Sequence, residues 1–245
     1  MNRLHNKVAV VTGANSGIGY ATAQEFIAEG AQVVITGRNE AAVQAAVAAL
    51  GDQARGVVSD AGQMADVRRL ADQVRALHPR IDVLFVNAGV GVFMPIGQVD
   101  EAQFDQQFNI NVKGLYFTIQ ALLPLLNDGG SIILTSSTAA SSGLASASVY
   151  SATKAAVVSL ARTLSADLLE RRIRVNAISP GPIDTPIFGK IGLPPEAIDS
   201  FANSVPLKRL GQPEEIAKVA TFFASDDSSF VLGEELIAGG GVGRL

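Results

Sequence analysis

The 245-residue chain is 48% hydrophobic and 17% charged, which excludes a disordered polymer and supplies apolar surface for a large core. Its 23 acidic and 19 basic residues leave a net charge of -4 without a basic cluster, so counterion release gives little drive toward DNA or RNA. The absence of cysteine removes disulfides, thiolate metal sites and a cysteine nucleophile, and fits a reducing cytoplasm; with His5 and His78 as the only histidines, no metal centre is expected.

Residues 1–7 carry no long apolar stretch, and later apolar runs are interrupted by charge, Gly or Pro, so neither a signal peptide nor a membrane span is expected. Seven β-branched, apolar runs follow at 8–11, 32–36, 54–58, 82–86, 131–135, 173–178 and 235–238. Helical patterns alternate with them at 17–29, 39–50, 64–77, 101–126, 149–171 and 213–224. Strand then helix, repeated, predicts parallel strands with helices on both faces, and the near-continuous apolarity of 8–11 and 81–86 fits strands covered on both sides. No linker or internal repeat splits the chain, so one doubly wound α/β domain is predicted over 1–245. The proline-rich stretch from 180 to 210 reads as irregular, with 182–210 as a lid over a substrate or, alternatively, a plain surface loop.

The run Thr12-Gly-Ala-Asn-Ser-Gly-Ile-Gly19 joins the first predicted strand to the first helix. Gly13, Gly17 and Gly19 let backbone approach a pyrophosphate, and the amides of Asn15, Ser16 and Ile18 lie at the new helix N-terminus that would receive it. After the second strand comes Gly37-Arg38, where sites preferring NAD usually place a carboxylate for the ribose hydroxyls. Arg38 offers a planar fork of donors to a 2′-phosphate instead, which favours NADP(H); an exposed arginine at a helix start is the alternative. Asp60 can accept from the adenine amino group or cap a helix.

Tyr150 and Lys154 are four apart in a helical stretch and so share a face. A carbonyl that accepts hydride needs a proton donor, and the reverse reaction needs a base. An ammonium about 4 Å from the phenol would lower its pKa by roughly three units at an effective dielectric near 20. Ser137, at the end of the fifth strand, can hold the substrate oxygen, while Ser136 is expected on the opposite sheet face. Asn111 sits in a helical run where it is a modest helix former, which suggests a kink holding water that links Lys154 to solvent; a surface Asn is the alternative.

Gly13, Gly17 and Gly19, then Asn87-Ala-Gly89, Asn111, Ser137, Tyr150-Ser-Ala-Thr-Lys154 and Pro180-Gly181 occur in an order that resembles the short-chain dehydrogenase/reductase family across essentially the whole chain. The resemblance implies a Rossmann fold with seven parallel strands in the order 3-2-1-4-5-6-7. It also implies a catalytic tetrad of Asn111, Ser137, Tyr150 and Lys154, with Lys154 also on the nicotinamide ribose. Asn87, Ala88 and Gly89 would shape the cofactor floor, Pro180, Gly181 and Ile183 would border it, and Thr185 would bind the nicotinamide carboxamide. A cytoplasmic homotetramer is implied, with the helices 101–126 and 149–171 packed on a neighbour's copies. Ala152, Ala155, Ala156 and Ser159 suit that approach, although burial within one chain would also explain them. The chain departs from the common pattern at Val86, at Asn15 and Ser16 (no basic residue in the turn) and at Ala238 (no Asp before the final Gly-Gly).

The leading expectation is an NADP(H)-dependent ketone reductase and secondary-alcohol dehydrogenase acting on a small molecule, with Val90, Val92, Phe93, Leu144, Phe188 and Ile191 beside Ser137 and Tyr150 in an apolar pocket for bulky uncharged carbonyls. A 3-oxoacyl-carrier-protein reductase is the runner-up: Arg171 lies where a basic contact to the carrier is expected, but Asp128 occupies the neighbourhood of another. A nonenzymatic NADP(H) sensor is a third reading, disfavoured because Tyr150 and Lys154 are both present.

Overall fold

A computed structural model describes residues 2–186, 195–242 and 244–245. The strands β1 (Val8–Val11), β2 (Gln32–Gly37), β3 (Ala54–Val58), β4 (Ile81–Val86), β5 (Leu126–Thr135), β6 (Arg174–Pro180) and β7 (Glu235–Ala238) form one parallel sheet in the order β3-β2-β1-β4-β5-β6-β7. This is the doubly wound Rossmann arrangement expected from the sequence. Its strand order reverses between β1 and β4, which opens a crevice at their carboxyl ends.

The central strands β1, β4 and β6 are buried on both faces, and residue parity sorts the strand side chains between two cores. Val10, Val34, Leu84 and Leu134 point to one side, with Leu70, Val74, Ile119, Leu122, Val157 and Leu164. These come from α3 (Met64–Leu77), α5 (Leu115–Leu122) and α6 (Ser148–Asp167). Val11, Ile35, Phe85 and Ile133 point to the other, with Phe26, Val43, Ile216 and Phe223. Those belong to α1 (Gly17–Ala28), α2 (Glu40–Leu50) and α8 (Pro213–Ala224). No helix among the described residues is long and apolar enough to cross a membrane.

Three elements differ from the sequence-based expectation. The single helix expected over 101–126 is α4 (Glu101–Phe108), a π-helical segment Asn109–Gly114, α5 and a short 3-10 turn, and β5 begins at Leu126 rather than 131. Within the stretch read as irregular, Pro195–Ser204 forms a helix, α7; proline as its first residue lacks only an N–H that would have no partner there. The two ends of that stretch are tied together, because Ile183 bridges Gly211 in parallel and Gly211 N–H donates to Pro182 at 3.0 Å. On α6, Ala152, Ala155 and Ser159 are exposed and Ala156 is half-buried, so burial within this chain does not account for the small outward-facing residues.

Candidate active site

The turn between β1 and α1 is held from beneath by β4. The Thr12 hydroxyl accepts from the Asn87 and Ala88 amides, each at 3.0 Å, and the Asn87 amide nitrogen donates to the carbonyls of Thr12 and Gly13 at 3.0 and 3.2 Å. Asn87 and Ala88 therefore serve the turn before anything bound to it. Gly13 takes φ +64, and a Cβ there would lie 2.9 Å from Ala88 Cα; at Gly19 a Cβ would lie 2.5 Å from the Gly13 carbonyl oxygen. Only glycine allows that double approach. Ser16 caps α1 without a side-chain hydrogen bond, and no acidic residue stands in the helix's first turn. The first amides of α1 are thus left to an anion, the donor set that a pyrophosphate needs.

The rest of the crevice follows from the strand ends. Arg38, next after β2, is exposed and forms no ion pair among the described residues. Asp60 lies past β3, where its carboxylate closes a turn by accepting the Gly62 amide at 2.8 Å. It is not the cap of α3, whose N-cap is Gln63. Pro180 ends β6, Gly181 donates to the Ala238 carbonyl at 3.1 Å, Ile183 is buried, and Thr185 Cγ2 stands 3.4 Å from where a Cβ of Gly17 would be. The segment after β6 therefore comes back over the glycine turn. These groups fit a dinucleotide along the sheet edge.

α6 carries Tyr150 and Lys154 toward the ends of β4 and β5. Ser137 opens a 3-10 turn after β5, its hydroxyl oxygen accepting the Ala139 amide at 3.2 Å, and its hydroxyl lies near enough to the Tyr150 phenol to pull its pKa down. Lys154 is buried, its Nζ donating to the Thr135 carbonyl at 2.8 Å and lying 5.7 Å from the centre of the Tyr150 ring. Ser136 keeps the parity of Ile132 and Leu134 and faces α6, its hydroxyl donating to the Lys154 carbonyl at 2.9 Å. The structure thus brings Ser137, Tyr150 and Lys154 together at the carboxyl end of β5.

Asn111 is buried within the π-helical segment, which excludes the surface reading. Its Oδ1 accepts the Val90 amide at 2.8 Å; its Nδ2 donates to the Val90 carbonyl at 2.8 Å and to Thr153 Oγ1 at 3.1 Å. Thr153 Oγ1 in turn donates to the Tyr150 carbonyl at 2.7 Å. Both side-chain donors of Asn111 are therefore spent on positioning the 90 loop and α6, and only acceptor capacity is left for water. Gly89 passes between these groups: a Cβ there would lie 3.2 Å from Asn111 Oδ1 and 3.4 Å from Lys154 Nζ.

The electrostatics of the chain alone depart from the expected depressed phenol. Burial raises Tyr150 above its ordinary value of 10, with the neighbouring Ser137 hydroxyl pulling the other way, and burial lowers Lys154 from 10.5 to about 8. Desolvation dominates at Lys154, whose nitrogen lies over the Tyr150 ring and hydrogen-bonds to a neutral carbonyl. The phenol keeps its proton at neutral pH, as an acid must.

Above Tyr150, the 90–94 loop is pinned by Val92 N–H to the buried Gln107 Oε1 at 3.1 Å and by Met94 N–H to the Ser146 carbonyl at 2.7 Å. Phe93 packs on the Tyr150 ring with centroids 5.3 Å apart and an interplanar angle of 56°, and Phe93 and Leu144 keep exposed apolar surface. Phe188 and Ile191 lie outside the described residues. Thr12, Gln107 and Thr153 were not singled out from sequence. Each is a polar residue inside an otherwise apolar or helical run, a weak signal until its partner is known.

A family model described as enoyl-(acyl carrier protein) reductase matches residues 13–243. Oxidoreductase asL5 of Sarocladium schorii is 44% identical over 247 residues, covering 100% of this chain and 99% of its own. Human dehydrogenase/reductase SDR family member 4 is 37% identical over 244 residues, with 97% and 88% covered. The solved structure of levodione reductase superposes with a TM-score of 0.92 at 31% identity over 98% of each chain. With the glycine turn, the strand order and the Ser137, Tyr150 and Lys154 cluster in place, the chain belongs to the short-chain dehydrogenase/reductase family, oxidoreductases that use nicotinamide cofactors and act on CH–OH and C=O groups.

Proposed function

We propose that the protein is an NADPH-dependent reductase of bulky, uncharged ketones to secondary alcohols, reversible as an alcohol dehydrogenase. The observation that carries this reading is the buried Tyr150 phenol beside the Ser137 hydroxyl, with the Lys154 nitrogen 5.7 Å from its ring centre and Phe93 packed on the ring. The nicotinamide nucleotide, when bound along the glycine turn, supplies the hydride. Ser137 Oγ–H then holds the carbonyl oxygen of the substrate, and Tyr150 gives that oxygen its proton. Lys154 stabilises the phenolate left behind, and Asn111 keeps the 90 loop and α6 in register. Asn15, Ser16, Gly17 and Ile18 would line the pyrophosphate, Arg38 the 2′-phosphate, Asp60 the adenine, and Thr185 the nicotinamide end.

The acyl-carrier reading is weaker, because the Arg171 guanidinium is engaged by Asp128 at 2.9 Å and by the Leu123 carbonyl at 3.1 Å. We also propose a single catalytic domain that assembles in the cytoplasm as a homotetramer through α4, α5 and α6. The outward Ala152, Ala155 and Ser159 and the exposed Phe104, Tyr116 and Phe117 on those helices support this.

The activity is tested by following NADPH consumption with small, aromatic and acyl-thioester ketones. Turnover of uncharged ketones is expected, and its absence across the panel overturns the proposal. Arg38→Leu checks the cofactor. Loss of a charge-assisted fork worth about 1.5–3 kcal/mol should weaken NADPH roughly 10- to 100-fold while leaving NADH unchanged. An intact preference for NADPH in that variant removes Arg38 from the assignment.

A further inference from the structure

Gly37 ends β2 in a space that two side chains have already taken. A Cβ built there would lie 2.9 Å from Asn15 Oδ1 and 2.9 Å from Val43 Cγ2. Val43 is fully buried in α2, and its other methyl, Cγ1, lies 2.6 Å from where a Cβ of Gly56 would stand on the neighbouring strand β3. α2 thus rests directly on two bare strand positions, with one valine methyl over each. Val43 is stiff because it is β-branched and packed on all sides, so it is the hard side of the contact. Asn15 is the softer side. It is half-buried in the turn between Gly13 at φ +64 and Gly17 at φ +57, and its amide makes no hydrogen bond to the described residues.

We infer that Val43 and Asn15 form a steric lock on Gly37, barring a ribose-binding carboxylate from the end of β2 and leaving discrimination between cofactors to position 38. This rests on the dinucleotide reading above and goes beyond it: Asn15 and Val43 become specificity-determining residues that act by occupying volume. Position 38 has the opposite character, since Arg38 is exposed and free of ion pairs among the described residues. Changing the charge at 37 therefore cannot switch the cofactor by itself, whereas changing it at 38 can.

Gly37→Ala adds only the atom whose space is filled. The thermal midpoint of the ligand-free protein should fall by about 4 °C or more, and the same change in an Asn15→Gly/Val43→Ala background should be close to neutral relative to that background. An unchanged midpoint for Gly37→Ala in the wild-type chain, or an equal loss in both backgrounds, overturns the lock. Calorimetric titration supplies the second readout. Gly37→Asp alone should gain less than about twofold in NADH affinity, whereas Arg38→Asp and the folded triple variant Asn15→Gly/Val43→Ala/Gly37→Asp should each gain about tenfold, equivalent to ~1.4 kcal/mol. A tenfold gain from Gly37→Asp alone, or none from the other two, rejects the inference. Wild-type protein binding NADH as tightly as NADPH would reject the NADPH proposal and leave the stability comparison intact.

Discussion

Tyr150→Phe is expected to lower kcat by about 10²–10⁴-fold, the usual worth of a positioned proton donor, while NADPH binding and the thermal midpoint stay near wild type. The variant deletes one oxygen and keeps the ring that packs on Phe93 at 5.3 Å, so the aromatic wall of the pocket survives. Its structural cost is small, because the Ser137 hydroxyl oxygen still accepts the Ala139 amide. Because burial keeps the phenol protonated above its ordinary range, the donor form is present throughout neutral pH. Ketone reduction should therefore vary little between pH 6 and 8, and alcohol oxidation, which needs the phenolate, should rise with pH. Ser137→Ala added to Tyr150→Phe should cost little more than either change alone, since both serve one proton transfer. A Tyr150→Phe enzyme with wild-type kcat, measured with saturating NADPH, would remove the phenol from the chemistry.

How much of this was legible in the sequence depended on whether the deciding force was local. The strands Val8–Val11 and Ile81–Val86 could be read because burial on both faces demands continuous apolarity. The glycine turn could be read because a strand-to-helix junction needs glycine where backbone meets backbone. Asn109–Gly114 could not be recognised as π-helical, because its apolar spacing continues that of α4 and α5; the only hint was two asparagines in a helix. The start of β5 was hidden for another reason. Leu126-Asn-Asp-Gly-Gly130 has turn chemistry, yet Leu126 pairs with Ile81 and the register shifts before Ser131 pairs with Val83. α7 was not legible because proline breaks a helix interior yet costs no hydrogen bond as a helix's first residue. In the site, the four-residue spacing placed Tyr150 and Lys154 on one face correctly. The direction of the phenol's shift was misjudged because it turns on burial, which spacing does not encode.

Lys154→Met should abolish turnover and also make the cofactor-free protein more stable at neutral pH. Burial holds the wild-type ammonium at about 8 against 10.5 in the unfolded chain, a cost of roughly 3 kcal/mol when the group is charged in both states. The folded chain releases this proton first, so below pH 8 the cost is present in full. Between about 8 and 10.5 the unfolded chain binds more protons than the folded one, and wild-type stability therefore rises with pH. Methionine fills similar volume without charge but forfeits the 2.8 Å hydrogen bond to the Thr135 carbonyl, worth about 1.5–3 kcal/mol to an ionised donor. A net gain of up to about 1.5 kcal/mol at pH 7 remains, which should disappear by about pH 10. Denaturant melts of both proteins at pH 7 and pH 10 measure the difference. A variant less stable than wild type at pH 7 would mean that Lys154 is held by structural interactions strong enough to offset its desolvation. A buried charge retained at a net cost in stability, on the same helix face as the phenol it must assist, is instead what a catalytic requirement would preserve.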